Sequence, residues 1–470
     1  MPAIAEDVWR SFAATADAWP GRIALRDGGA EVTFGELRRR ASDASAALAE
    51  LGVEPGQVLA VAGAGATSFV TLLLAALRLG APALLLATAQ RGAVLRAVLR
   101  DLGVAWLVTD DQALAERAGT AAGRDAVAVG AFAGVRGAAT VRPDESVAVV
   151  KLSSGSTGEP KAIAVSAAAV LAEADAVAAT FGLGPGQAVL CPVPLHHSYG
   201  FDLGVLPMLR HGATLTVHAP LVPARLLQQL QAPGVRAVLG VPAVYGALLE
   251  TPLDVPPDLS GAGFLVSCTA PLSPSAIDAF DRRFHAPLCQ HYGSSEAGGV
   301  TTHVPDEVRG RPESVGRPMP GVELEIVDGE VTVAGPAVAS GYLWGAPEPS
   351  PFRGGRLHMG DGGFVDGDGF LTLTGRLDAL INVGGLKVSP AEVERVLERH
   401  PAVREAAVSG RSDGRGGELV QAAVAVTGEV TELELVAHCR EALEDFKVPR
   451  RIELRDALPR LPSGKVDRRA

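Results

Sequence analysis

Cysteine is scarce, and no spacing puts it to use. The 470 residues contain four, Cys191, Cys268, Cys289 and Cys439, far apart and without a C-x-x-C pair. That argues against a zinc site and against a disulfide framework, and makes a reducing cytoplasm the simplest setting. No run of five or more basic residues occurs, and the net charge is −11. Nucleic acid and anionic membrane are therefore not expected partners, and a small anionic ligand would need a locally basic site. Met1–Asp7 lacks a basic n-region and an apolar h-region, so no signal peptide is expected. The longest apolar stretch, Phe69 to Ala87, is broken by Arg78, Gly80 and Pro82. It reads as a buried helix and a buried strand rather than a membrane span. Internal repeats and low-complexity tracts are also missing.

Lysine is scarcer than composition alone explains. Lys151, Lys161, Lys387, Lys447 and Lys465 stand against 37 arginines. Arginine substitutes freely on a solvated surface but not where a compact, strongly hydrated point charge is needed. The five lysines are thus candidates for function, although chance retention accounts equally well for Lys151 and Lys447.

What is present is a chain with 47% hydrophobic and 20% charged residues, globular, and longer than one core sustains, so two or more domains are expected. Val147–Val150 reads as a strand, and it runs into Ser153-Ser154-Gly155-Ser156-Thr157-Gly158-Glu159-Pro160-Lys161. Glycines let backbone N–H groups approach an anion, hydroxyls add donors and lysine adds charge. The composition is that of a phosphate cradle. It is not a Walker loop, because G-x-x-x-x-G-K-[ST] is absent. Taken alone, a flexible Gly/Ser surface loop is an equally good reading.

Upstream, Thr33-Phe34-Gly35-Glu36 reads as a capping box before Leu37, Ala41, Ala44, Leu48 and Leu51, one amphipathic face. Strands at 58–61, 83–86 and 105–108 alternate with helices at 68–79 and 93–102, the pattern of βαβ units and a parallel sheet. Further strands follow at 189–193, 237–241 and 264–267. His196-His197 could be taken for metal ligands, but neighbouring strand residues face opposite ways and no third ligand lies nearby. After Gly321 short strands take over, with a hairpin through Asp366-Gly367-Asp368-Gly369. Its spacing does not make a calcium loop. Beyond Gly375 an α+β pattern begins, with helices capped at Ser389 and Thr431 and a strand at 419–426. A domain boundary is placed close to Asp378.

Four further segments complete the pattern: Tyr292-Gly293-Ser294-Ser295-Glu296, His358-Met359-Gly360-Asp361, Gly375-Arg376-Leu377-Asp378 with Val383–Glu392, and Leu461–Arg468 around Lys465. With the serine-rich loop, and in this order, they resemble the adenylate-forming superfamily of acyl- and aryl-CoA synthetases, nonribosomal peptide synthetase adenylation domains and luciferases. The motif style is closest to the acyl-CoA synthetases, and the likeness covers essentially the whole chain. It implies an α/β fold, with residues 1–377 forming a large N-terminal domain of βαβ-type sheets plus a β-rich subdomain. Residues 378–470 would form a small mobile α+β domain carrying the catalytic lysine.

The resemblance also implies roles. Ser153, Ser154, Gly155, Ser156, Thr157, Gly158 and Lys161 would hold the phosphates of ATP, and Glu296 would bind Mg²⁺. Tyr292 and Gly293 would face the adenine, and Ser294 and Ser295, the latter beside Glu296, would belong to the same ATP site. Asp361 would accept the ribose hydroxyls, and Arg376 would contact ribose and phosphate. Asp378 matches the hinge, and Gly384, Gly385 and Leu386 match the loop that meets the pantetheine thiol of coenzyme A or of a carrier protein. Lys465 matches the lysine that bridges carboxylate and α-phosphate. His197 matches a histidine of the acid pocket, with Phe201, Asp202, Val244, Tyr245 and Thr269 as further lining. The implied activity is ATP-dependent activation of a carboxylic acid, other than an α-amino acid, as its adenylate with release of pyrophosphate, then transfer to the thiol of coenzyme A. The alternative is a stand-alone adenylation enzyme that loads a carrier-protein phosphopantetheine or uses another acceptor. Ala162, Met359, Asn382 and Leu84–Thr88 depart from the family's usual residues.

Overall fold

In the computed structural model the described residues are 4–154, 160–218, 221–383, 386–412, 418–460 and 466. Gly155, Ser156, Thr157, Gly158, Gly384, Gly385 and Lys465 lie outside them, as does the side chain of Ser154.

Alternate residues of the strand Leu59–Ala62 serve two different cores. Leu59 and Val61 pack with the helix Ala66–Arg78, while Ala60 and Ala62 join Leu84, Leu99, Leu107 and Leu114 on the opposite side. A strand apolar on both faces belongs inside a sheet covered on both sides. The sheet runs Gly341–Trp344, Pro160–Ser166, Val147–Ser154, Ala83–Leu85, Leu59–Ala62, Trp106–Thr109, Phe132–Arg136, Val127–Val129, parallel through its middle. A second sheet is built on the same plan. Its parallel centre is Leu288–Ser294, Phe264–Ser267, Val235–Gly240, Ala188–Cys191 and Thr214–Val217. One continuous core joins the two, with Val149 and Ile163 from the first, Val238 and Val266 from the second, and Phe12, Leu72, Val177 and Met208 from helices.

The helix Phe34–Glu50 buries Leu37, Ala41, Ala44 and Leu48. Its expected capping box is half made. Thr33 Oγ1 accepts from Glu36 N at 3.2 Å, but the Glu36 carboxylate is taken by Arg40, one turn on. The helix expected at 93–102 forms as Gly92–Arg96 and continues as a π-helical turn, Ala97–Asp101. Among the described residues no helix is long and apolar enough to cross a membrane.

Between Glu323 and Arg376 the strands pair antiparallel. Asp366 Oδ1 accepts from Asp368 N and Phe370 N at 2.9 and 3.0 Å, and the acidic side chains face Arg311, so the acidic turn is an Asx turn held by an arginine. Residues from Ile381 to Ile452 close a separate core, in which the helices Pro390–Glu398 and Glu432–Ala442 cover the sheet Val403–Ser412, Glu418–Val426, Arg451–Arg455. The Thr431 capping box is complete, with Glu434 Oε2 accepting from Thr431 N at 2.8 Å. Lys447 bonds Glu392 and Glu444 at 2.8 and 2.7 Å, which gives this lysine a structural role. The molecule is thus mixed α/β, with a large N-terminal and a smaller C-terminal domain.

Phe280 is fully buried, edge-on to Tyr245 at 5.6 Å and packed on Phe284 at 4.7 Å. Phe280→Ala is expected to destabilise the N-terminal domain by about 3–5 kcal/mol, read as a lower urea midpoint with the slope unchanged.

Candidate active site

The serine-rich loop does not lead from a strand into a helix. Val147–Ser154 and Pro160–Ser166 pair antiparallel, with Ser153 opposite Lys161. The loop is therefore the tip of a hairpin, and the apolar run expected at 147–150 extends to its base. Gly341–Trp344 pairs with the outer edge of that hairpin, Tyr342 opposite Ile163 and Trp344 opposite Ala162. At Gly345, with φ +69, a Cβ would sit 2.7 Å from the Pro160 carbonyl oxygen, so glycine is needed for the chain to pass the loop's base.

A second hairpin carries Tyr292–Glu296. Leu288–Ser294 pairs with Gly298–Thr302, and a Cβ on Gly293 would lie 2.3 Å from the Gly298 carbonyl oxygen, which fixes glycine there. Glu296 is in the turn. Its backbone carbonyl accepts from Ala339 N at 2.7 Å and its Oε1 accepts from the Tyr342 hydroxyl at 2.8 Å. Burial, with the nearby carboxylate, pushes the Tyr342 phenol well up, so it remains a donor. Glu296 Oε2 accepts no hydrogen bond among the described residues.

A third hairpin, Arg356–Val365 with Leu371–Arg376, sets Asp361 opposite Arg376. The Tyr292 hydroxyl donates to Asp361 Oδ2 at 2.7 Å, and Arg376 Nη1 is 3.8 Å from Oδ1. Arg376 also grips Asp378 with two hydrogen bonds of 3.0 Å and donates to the Met359 carbonyl at 3.0 Å. These bonds to Arg376 hold the Asp378 carboxyl below the usual carboxylate range, and the charge on Lys161 adds to the effect. Lys161, Arg376, Asp361 and Asp378 therefore share one electrostatic neighbourhood.

Ser198 Oγ lies 2.7 Å from Ser295 Oγ, which brings the His196–Gly200 segment against the Glu296 turn. His197 is exposed, and its Nδ1 accepts from Tyr199 N at 3.3 Å. Burial and the neighbouring His197 push the His196 imidazole down to about 4, so it is neutral at pH 7. Among the described residues no group of three or more His, Cys, Asp and Glu side chains is arranged to hold a metal ion.

The residues named as acid-pocket lining divide into two sets. Thr269, with φ +75, and His197 reach the surface. Phe201, Asp202, Val244 and Tyr245 are enclosed by protein. The Tyr245 ring lies on Gly240, where a Cβ would be 2.5 Å from it, and its hydroxyl donates to the Val266 carbonyl at 2.8 Å, as does that of Tyr199. Asp202 is paired with Lys151 at 2.7 Å. Leu386 is exposed and turned from its own domain's core.

Sequence reasoning missed Tyr342. The available signal was scarcity, because the chain has four tyrosines and the hydroxyl of each is hydrogen-bonded, two of them to carboxylates of this site.

The chain is similar to known proteins along most of its length. The family model described as AMP-binding enzyme matches residues 12–343, and the one described as AMP-binding enzyme C-terminal domain matches 392–465. The chain is 32% identical over 482 aligned residues to a 3-[(3aS,4S,7aS)-7a-methyl-1,5-dioxo-octahydro-1H-inden-4-yl]propanoyl:CoA ligase of Mycobacterium tuberculosis, covering 96% of this chain and 95% of that protein. It is also 32% identical to a feruloyl-CoA synthase of an Amycolatopsis species, covering 95% and 94%. The solved structure of the amide bond synthetase McbA from Marinactinospora thermotolerans superposes with a TM-score of 0.85 at 31% identity, covering 99% of this chain and 98% of that one.

Cys268, beside Thr269, is half-exposed, whereas Cys191, Cys289 and Cys439 are buried. Burial pushes the Cys191 and Cys439 thiols up to about 12 and about 11. Iodoacetamide at neutral pH is expected to modify Cys268 first, with the other three reacting only after unfolding, as mass spectrometry of the labelled peptides would show.

Proposed function

The chain belongs to the AMP-binding enzymes of the adenylate-forming superfamily, and from that premise we propose that it activates a carboxylic acid with ATP and passes the acyl group to the thiol of coenzyme A. The observation that carries this reading is the segment Ala339–Trp344, which bonds both the base of the phosphate hairpin and Glu296. The strand that carries Lys161 and the Glu296 carboxylate are thereby tied together, with the Asp361–Arg376 pair on a further hairpin, which supports reading them as parts of one ATP site.

The chemistry explains the residue types. In the first half-reaction a substrate carboxylate oxygen attacks the α-phosphorus, an acyl–phosphate bond forms, and pyrophosphate leaves with the electron pair of the broken P–O bond. Two anions must be brought together, so neutralisation and in-line positioning lower the barrier. Lys161 and the loop hydroxyls would hold the phosphates, Asp361 the ribose hydroxyls, and Lys465 the carboxylate and α-phosphate. Mg²⁺ fits this site, since it is commonly bound by one or two carboxylates plus substrate phosphates, and Glu296 keeps Oε2 available while Tyr342 fixes Oε1. When bound, Mg²⁺ supplies charge neutralisation of the leaving pyrophosphate. In the second half-reaction the thiolate attacks the acyl carbon and AMP departs. We place the division between domains at 378, where Arg376 grips Asp378, and assign Gly384, Gly385 and Leu386 to the thiol approach.

His197, exposed beside the Glu296 turn, and Thr269 are the parts of the acid site open to substrate. Phe201, Val244 and Tyr245, buried in the core, would reach the acid only through a change of packing.

A second reading keeps the adenylate and changes the acceptor to an amine, and the likeness to an amide bond synthetase favours it. Loading of a carrier-protein thiol is the remaining alternative.

The test is acid-dependent pyrophosphate release over a panel of carboxylic acids, followed by addition of coenzyme A or of amines and identification of thioester or amide. Pyrophosphate release only with α-amino acids, or ATP hydrolysis without any acid, would sink the proposal. Lys465→Ala is expected to lower adenylate formation by about 10²-fold or more with ATP binding retained. Tyr342→Phe is expected to raise the Mg²⁺ concentration for half-maximal rate about fivefold to tenfold, about the worth of one hydrogen bond, without weakening metal-free nucleotide binding.

A further inference from the structure

Lys151, Asp202 and Glu173 are buried together inside the N-terminal domain, and the reaction described above uses none of them. Lys151 is in the strand Val147–Ser154, two residues before Ser153, and its Nζ donates to Asp202 Oδ2 at 2.7 Å, with both side chains 4% exposed. Asp202 is in the turn Phe201–Val205 that follows His197. Glu173 is in the helix Ala167–Phe181, 3% exposed, and its Oε1 accepts from Gly299 N at 2.9 Å. Gly299 lies just past Glu296, on the returning strand of its hairpin. Asp202 Oδ1 and Glu173 Oε2 are buried without a hydrogen-bond partner among the described residues.

One ammonium group cannot balance two buried carboxylates, and an uncompensated buried charge is strongly destabilising. The arrangement is neutral only when one carboxyl keeps its proton. Burial pushes both carboxyls up, and only Asp202 has the lysine in contact to draw it back, which leaves the proton to Glu173. Burial first, and the Asp202 charge second, push the Glu173 carboxyl up to about 8, against the smaller pull of Gly299 N–H and Lys151.

Among the described residues, the surroundings of Glu173 supply no other charge. From the neighbouring strand His291 is buried and pushed down to about 4, hence neutral, and its ring stacks on Tyr199 at 6.1 Å, a phenol that burial keeps protonated. His291 and Glu173 both crowd Gly299, where a Cβ would lie 2.9 Å from His291 Cε1 and 3.2 Å from Glu173 Oε1. The backbone there has no room to shift without moving the glutamate.

We propose that Glu173 is a positioning residue: with Lys151 and Asp202 it forms one neutral buried cluster that holds the strand entering the phosphate loop, the His197 segment and the Glu296 hairpin in fixed register. The proposal rests on the adenylation reading for its catalytic consequence, but the neutrality of the cluster is testable without it. Ionisation of Glu173 adds a second negative charge that one ammonium cannot balance, and repulsion from Asp202 loosens the register, although the Gly299 N–H bond itself favours the charged form.

Glu173→Gln keeps the acceptor for Gly299 N and mimics the neutral acid. Because the folded chain binds a proton that the unfolded chain releases, wild-type stability is lost as pH rises from about 5 to about 8, while the variant lacks this loss. The urea midpoint of the wild type is therefore expected to fall relative to the variant over that range and then run parallel. In acid-dependent pyrophosphate release, kcat/KM for ATP should agree within about twofold at about pH 6. By about pH 9 the wild type should be about tenfold below the variant, since a group titrating near 8 is then about nine-tenths ionised. A midpoint difference that does not change with pH, or a variant that fails to fold at about pH 6, overturns the neutral cluster. A pH-dependent midpoint with a constant activity ratio overturns the positioning role. Absence of any acid-dependent release would count against the proposed function, and the midpoint comparison would still decide the cluster.

Discussion

The register between two hairpins depends on one short strand. Gly341–Trp344 hydrogen-bonds to Pro160–Ser166, which carries Lys161, and the residues at its start bond Glu296 through Ala339 N and the Tyr342 hydroxyl. Phosphate loop and metal-binding candidate belong to different sheets, 135 residues apart if counted from Lys161 to Glu296. Separate sheets sharing a core have no inherent reason to align two side chains. A strand paired to one and bonded to the other supplies it, and backbone pairing is stiff enough to hold positions at the precision that in-line displacement needs.

The same logic explains why the parallel centres of both sheets are so apolar. Strands buried on both faces read as runs of Val, Leu and Ala, and that pattern made 59–62, 83–85, 106–109 and 264–267 legible from sequence. The five site motifs were legible for a different reason: each concentrates glycine, hydroxyl and charge where a packed core would admit none. What could not be read was pairing across distance. The helix cap at Thr33 looked reciprocal, yet Glu36 bonds Arg40 instead, because an arginine one turn on offers a charge and the cap offers only an amide. Tyr342 gave no local sign of its bond to Glu296. Lys151, singled out only by the scarcity of lysine, has partners 51 residues onward in Asp202 and, electrostatically, Glu173. Enclosure of Tyr245 and Val244 likewise follows from tertiary packing, here of Tyr245 on Gly240 and Phe280.

The two central carboxylates of the site share a further feature. Asp361 and Glu296 are each oriented by a tyrosine hydroxyl, at 2.7 and 2.8 Å, and Arg376 stands 3.8 Å from Asp361 with its bidentate grip on Asp378. A phenol donates one hydrogen bond and brings no charge, so it fixes a carboxylate without neutralising it. An arginine in the same place would hold the group more strongly but would also occupy both oxygens and cancel the charge that attracts a cation. With burial keeping both phenols protonated, each can donate to its carboxylate, and the Tyr342 bond to Oε1 leaves Glu296 Oε2 to spare. Under the proposed function, Lys161 and Arg376 are left for the anionic ligand. In a chain of net charge −11, separating orientation from neutralisation in this way lets a few cations create the basic site that a polyphosphate requires.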